Sequence, residues 1–246
     1  MPTLSDIIEC SDSKYTKLLS SYGLVIFLQT ILVCLSIGGA FLPMLLILEW
    51  KKRGSADGFS SVNFVLPMFM ASCWCKHFYL IDDQLNMSLN ALSVVFLLFY
   101  VSVFAYYQPN RNALYGQLAL CSATLYALFS YVQSYPLNEQ GDTMGFIASA
   151  SQMLGLAGGV HDIIRAVRLG TTEYIPATIL CGIFILTAQW AIYGIWVENT
   201  YIVISNLAGL SVHACTFVLY FIYPPKTWHV PLIGVGGSDL PVKKRE

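Results

Sequence analysis

Seven apolar stretches follow one another along this chain, each near the roughly 20 residues that cross a hydrocarbon core at 1.5 Å per residue. They cover approximately 22–48, 59–81, 85–107, 114–132, 144–160, 174–197 and 201–223. The fifth is the least hydrophobic, being rich in Gly, Ala and Ser, but small residues suit close helix contact in lipid. The reading is an all-α membrane protein with seven transmembrane helices. Composition agrees: 56% of the 246 residues are hydrophobic and 11% charged, against roughly 25% charged in soluble proteins. Lipid accepts that much apolar surface, and each helix pairs its own backbone polar groups. A net charge of −1 gives no basic surface for a nucleic-acid partner.

Six of the seven cysteines (Cys34, Cys73, Cys75, Cys121, Cys181 and Cys215) fall inside apolar stretches without a repeated ligand spacing, so they read as small buried hydrophobes and no metal or cofactor is expected. The first 21 residues are polar, carry acids beside Lys14 and Lys17, and do not resemble a cleavable signal peptide. Ten Lys and Arg fall on one side of the spans: Lys51, Lys52, Arg53, Arg111, Arg165, Arg168, Lys226, Lys243, Lys244 and Arg245. The other side has only Lys14 and Lys17. Because cytoplasmic loops retain positive charge, the N-terminus is expected outside and the C-terminus in the cytosol, in the plasma membrane or an internal one.

Sliding the sequence on itself by 116 residues pairs Lys52 with Arg168, Gly54 with Gly170, Ser55 with Thr171 and Asp57 with Glu173. The same offset brings Trp74 onto Trp190, Asn90 onto Asn206, Tyr107 onto Tyr223 and Pro109 onto Pro225. Tryptophan occurs only five times in the chain, so the match is not composition alone. The expected organisation is an N-terminal segment (1–21), a first three-helix repeat (22–109), a linker helix (110–136), a second repeat (137–225) and a C-terminal tail (226–246). A unit with an odd number of helices needs a linking helix to insert the same way round twice, which makes the repeat parallel, a 3+1+3 arrangement. Asn90 and Asn206 then lie at matching depth across the repeat axis, where a substrate would sit.

The segments from Gly54 to Asn90 and from Gly170 to Asn206 resemble the SWEET family of sugar uniporters. The first unit reads KKRGSADGFSSVNF, then Trp74, then Asn90; the second reads VRLGTTEYIP, then WAIYG from Trp190, then Asn206, with the same Trp-to-Asn spacing of sixteen residues. The resemblance covers about residues 22–225, including YIVISN and LYFIYPP in the last stretch. It implies two three-helix bundles around a central sugar site, a glucose- or sucrose-like substrate and a homo-oligomer. Asn90 and Asn206 match the family's paired sugar-binding asparagines, and Trp74 and Trp190 its aromatic positions. The chemistry fits: Asn offers donors and an acceptor to a hydroxyl, and an indole face packs the C–H face of a pyranose. The family also carries a proline in each of four helices that permits rocking. Pro43 and Pro176 match two of them, while Asn63 and Gly159 stand where the other two would be; Pro67 is placed to kink the second helix instead.

Plainer readings exist for these residues. A membrane Asn often bonds a neighbouring helix for roughly 1 kcal/mol, and membrane Trp often lies in the interface belt. Symmetric placement favours the substrate role. Lys76 reads as a snorkelling residue, His77 as a hydrogen-bonded surface histidine, His213 as packing, and His161 with Asp162 as a solvated mouth. Asn86-Met-Ser88 is a glycosylation sequon too close to the membrane for expected occupancy. The rival class is a seven-helix receptor, which shares the span count but not the repeat. An enzyme would need paired catalytic groups at depth, and none is present in the apolar stretches.

Overall fold

The structure is a computed structural model and describes residues 27, 29–41, 43–56, 59–231 and 233–238. Lys14, Lys17, Asp57, Lys243, Lys244 and Arg245, used above for orientation and register, lie outside the described residues. Among the described residues the helices are α1 (Gln29–Ala40), α2 (Met44–Arg53), α3 (Val62–Leu80), α4 (Gln84–Tyr107), α5 (Asn112–Gln133), α6 (Leu137–Gly155), α7 (Ala157–Leu169), α8 (Ala177–Trp196) and α9 (Thr200–Ile222). By length and composition α4, α5, α8 and α9 are each able to cross a membrane. Only 11% of the apolar window of α5 is buried within the chain, with Leu120 and Tyr126 pointing outward. Such faces are stable against lipid, not water.

The first and fifth apolar stretches are expected as single helices, and each is two helices end to end. The break in the first falls at Phe41–Pro43. Proline has no N–H to return to the carbonyl four residues earlier, so α1 stops and α2 starts afresh. The hydroxyl of Tyr100 on α4 donates to the Ala40 carbonyl at 2.7 Å, satisfying one acceptor at the end of α1. The fifth stretch breaks at Leu156, between Gly155 and the pair Gly158 and Gly159. It also begins earlier than hydropathy indicates, at Leu137, and runs on to Leu169. Its first turns carry Asn138, Glu139 and Asp142, polar residues that mask the helix in a hydropathy profile.

Local geometry recurs at the offset of 116. Gly54 and Gly170 both adopt left-handed φ (71° and 62°) as the C-caps of α2 and α7, the conformation glycine takes without steric cost. Asp82 and Glu198 are the two non-glycine residues with positive φ (58° and 56°) among the described residues. The next residues, Asp83 and Asn199, cap α4 and α9 by accepting from backbone amides. Ala56 donates its backbone N–H to Tyr107, and Thr172 to Tyr223. The two short turns 81–83 and 197–199 mark one end of the molecule, termed the turn end. The opposite, basic end carries Lys51, Lys52, Arg53 and Arg168 in the last turns of α2 and α7.

Helix α3 packs on α4, α5 and α6; α8 packs on α9; α6 and α7 both pack on α9. The contact between α3 and α6 therefore joins the early helices to the late ones. Gly145 on α6 makes it close: a Cβ there would stand 2.5 Å from the ring of Tyr201 and 2.9 Å from that of His77.

At the basic end, Glu173 holds the segment after α9. Its carboxylate accepts from the backbone N–H groups of Lys226 (2.6 Å) and Thr227 (3.1 Å) and from the Thr227 hydroxyl. Trp228 Nε1 donates to the Glu173 carbonyl at 3.2 Å, and its ring meets Tyr220 edge-on. The Thr227 hydroxyl, followed by the two amides, holds the Glu173 carboxyl below its ordinary value. The carboxylate's share of this docking is thus fully present above the ordinary glutamate value and is lost as pH falls through the lowered one. We expect Glu173→Gln to raise tryptic cleavage at Lys226 severalfold at neutral pH, where the wild-type carboxylate is charged.

Candidate functional site

A cavity of about 390 Å³ lies between the early and late helices. Asn90 (α4), Asn206 (α9), Trp74 (α3) and Trp190 (α8) all line it, so the four substrate-site candidates from the sequence converge on one space. Pro43 and Pro67 line it as well. Pro67 lies inside α3 and removes the N–H that would have bonded the carbonyl of Asn63, whose own side chain is exposed. Gly159 is outside the lining and faces α9, where a Cβ would come 2.9 Å from Val212. Pro176 stands before α8 as its N-cap and lines a separate pocket with Glu173 and Trp228 at the basic end. Proline suits a helix start, where its missing N–H costs nothing.

The two asparagines are held alike. Each side-chain NH2 donates four residues back on its own helix, Asn90 to Asn86 at 2.9 Å and Asn206 to Ile202 at 2.8 Å. That leaves the Oδ1 of Asn90 without a protein partner among the described residues and the Oδ1 of Asn206 available to a neighbouring helix. Gln152 on α6 donates to Asn206 Oδ1 at 3.3 Å, while its Oε1 accepts the Trp74 indole N–H at 2.8 Å. Phe78 stacks between the two tryptophans, with centroids 5.7 Å from Trp74 and 6.4 Å from Trp190 and interplanar angles of 27° and 29°. The ladder Trp74–Phe78–Trp190 gives the cavity an aromatic wall shared by both halves. Among the described lining residues there is no Asp, Glu, Lys, Arg or His. The lining offers hydroxyl, amide and aromatic groups, which can hydrogen-bond and pack a neutral polyol.

Beyond the ladder, toward the turn end, two crossed contacts join the halves. His77 accepts or donates at both ring nitrogens: Nδ1 lies 3.0 Å from the Gly141 carbonyl and Nε2 lies 3.0 Å from the amide nitrogen of Asn199. A carbonyl only accepts, so Nδ1 carries the proton and Nε2 receives the Asn199 N–H. In the second contact, the Tyr193 hydroxyl donates to Asp83 Oδ2 at 2.9 Å and receives the Asn86 amide. The offset of 116 relates His77 to Tyr193 and Asp83 to Asn199, so these are one contact made twice. His77 is therefore not a surface residue: it is 1% exposed. Asn86 is 0% exposed, which closes the sequon to an enzyme that glycosylates accessible loops. Lys76 lies over the Tyr79 ring at 4.8 Å, and His161 with Asp162 is solvated, as expected.

Phe78, Gln152 and the His77/Tyr193 clasp are absent from the sequence reading. The clasp had a signal, since 77 with 193 and 83 with 199 obey the register already found. Gln152 had none, because the matching position is Ser36.

A bundle of apolar helices around a central, uncharged, aromatic-walled cavity defines a multi-pass membrane transporter. The chain belongs to the MtN3/slv family, described as sugar efflux transporters for intercellular exchange, whose profile matches residues 23–112 and again 142–228. That family consists of transporters, not enzymes. Among curated relatives, the chain is 24% identical over 182 residues to Sugar transporter SWEET1 of Drosophila pseudoobscura pseudoobscura, covering 72% of this chain and 80% of that one. It is 26% identical over 208 residues to Bidirectional sugar transporter SWEET12 of Oryza sativa subsp. japonica, covering 79% and 69% respectively. The solved structure of a eukaryotic SWEET transporter superposes with a TM-score of 0.67 at 20% identity, over 80% of this chain and 95% of that chain, which establishes the shared fold.

The clasp carries a pH prediction. Protonated His77 has no lone pair for the Asn199 amide, and Asn199 cannot turn its oxygen to the ring because Oδ1 already caps the amides of Tyr201 and Ile202. Asp83 and Asp142 are the carboxylates in electrostatic reach of the ring, and Tyr201 meets it edge-on. We expect amides in the first turns of α9 to exchange hydrogen roughly tenfold faster in acid, once corrected for intrinsic rates, and His77→Phe to show that faster exchange at every pH.

Proposed function

We propose that this chain is a sugar uniporter, carrying mono- or disaccharides in either direction by alternating access without ion coupling. The observation that carries the reading is the convergence of Asn90, Asn206, Trp74 and Trp190 on one cavity. Two carboxamides at matching depth can bond opposite edges of a pyranose while the indoles cover its apolar face. The names of the relatives support a sugar as cargo.

In this reading α1/α2, α3 and α4 form one three-helix bundle, α6/α7, α8 and α9 the other, and α5 the linker, a 3+1+3 arrangement. The two profile matches, separated by α5 and its flanks, support that division. The Lys and Arg bias makes the basic end cytosolic, so the turn end faces outward in a plasma membrane. The interbundle hydrogen bonds of Trp74, His77, Asp83 and Asn86 cluster in the turn-end half, which supports an outward-closed state. The rod breaks beside Pro43 and Gly159, with Pro67 in α3, are the proposed points of flexure, and Pro176 a pivot at the start of α8. No charged lining residue is described, which favours uniport over coupled transport.

Purified protein in liposomes is expected to equilibrate labelled hexose or disaccharide without a proton or sodium gradient. Asn90→Ala and Asn206→Ala are each expected to cut flux at least tenfold while leaving protein folded in the membrane. Unchanged flux in both would return these residues to helix packing, and no flux in the wild type would remove the uniporter reading.

A further inference from the structure

Gln152 lies in a chain of hydrogen bonds whose polarity is fixed at both ends. The indole N–H of Trp74 can only donate, so the atom 2.8 Å away is the Gln152 oxygen. The Ile202 carbonyl can only accept, so the atom 2.8 Å from it is the Asn206 nitrogen. Between them the Gln152 NH2 must face Asn206 Oδ1, at 3.3 Å. The chain runs Trp74 to Gln152 to Asn206 to Ile202 with one orientation for every amide. Linked bonds of this kind strengthen one another in a low-dielectric interior.

The other half of the cavity lacks this chain. The position 116 residues earlier is Ser36, whose hydroxyl is buried without a hydrogen-bond partner and cannot reach as far as a glutamine. Asn90 is fixed through its NH2 alone, leaving Oδ1 open. One half of the site is thus pre-organised before a ligand arrives, and the other holds open acceptor and hydroxyl groups.

We infer that Gln152 is a positioning residue for transport: it sets the ring plane of Trp74 and the amide of Asn206, so that a sugar meets them already oriented. This rests on the sugar reading above. It predicts an effect on affinity more than on turnover, because pre-organisation lowers the cost of ordering the site on binding.

The test is sugar exchange in liposomes with Gln152→Met and Gln152→Glu. Methionine keeps the length and removes both hydrogen bonds. We expect its KM to rise about tenfold with maximal rate within about twofold of wild type. A neutral carboxylic acid, by contrast, reproduces both bonds, its carbonyl accepting from Trp74 and its O–H donating to Asn206, whereas the carboxylate has no donor. Gln152→Glu should therefore have a raised KM at neutral pH that returns toward wild type in acid, each value taken relative to wild type at the same pH, while Gln152→Met shows no such recovery. A wild-type KM in Gln152→Met, or parallel pH behaviour of the two variants, would overturn the inference. Absence of any sugar flux in the wild type would instead overturn the transport reading, and it is seen before any variant is compared.

Discussion

Lipid offers no hydrogen bonds, so wherever a helix breaks inside the membrane the freed backbone group must find a partner within the protein. That constraint organises this fold. The break at Phe41–Pro43 lies beside the cavity, and Tyr100 reaches across from α4 to satisfy Ala40. The same tyrosine lines the cavity, so the group that stabilises the broken rod also shapes the space beside it.

Much of the architecture was legible because the chain states it twice. The offset of 116 residues located Trp74, Trp190, Asn90 and Asn206, and all four reach one cavity. It also anticipates details that hydropathy cannot supply: the left-handed residues Asp82 and Glu198, the caps Asp83 and Asn199, and the C-cap glycines 54 and 170. Hydropathy alone misplaced the start of α6, because Asn138, Glu139 and Asp142 lie in helical turns that it scores as loop. It also could not distinguish one bent rod from two helices, since proline and glycine break hydrogen bonds without changing apolar character.

What remained hidden was contact between copies. Periodicity reports which residues share a depth, but not which side chains meet across a seam. His77 was therefore read as a surface group, although it is sealed between Gly141 and Asn199. Gln152 stayed invisible for a different reason. It is a departure from the repeat, and a search for likeness passes over the position where the copies differ. The copies share a scaffold, and their differences give the cavity two unlike walls.

The turns 81–83 and 197–199 tie α3 to α4 and α8 to α9 through very short connections with capped starts. In the proposed 3+1+3 division each half combines a stiff hairpin with a jointed strut, α1/α2 in one and α6/α7 in the other. Load applied across such a frame is taken up at the joints before the hairpins deform. The cavity-lining tryptophans and asparagines all ride on the hairpins, so in the proposed rocking motion they would travel as two intact units while the struts absorb the change in angle.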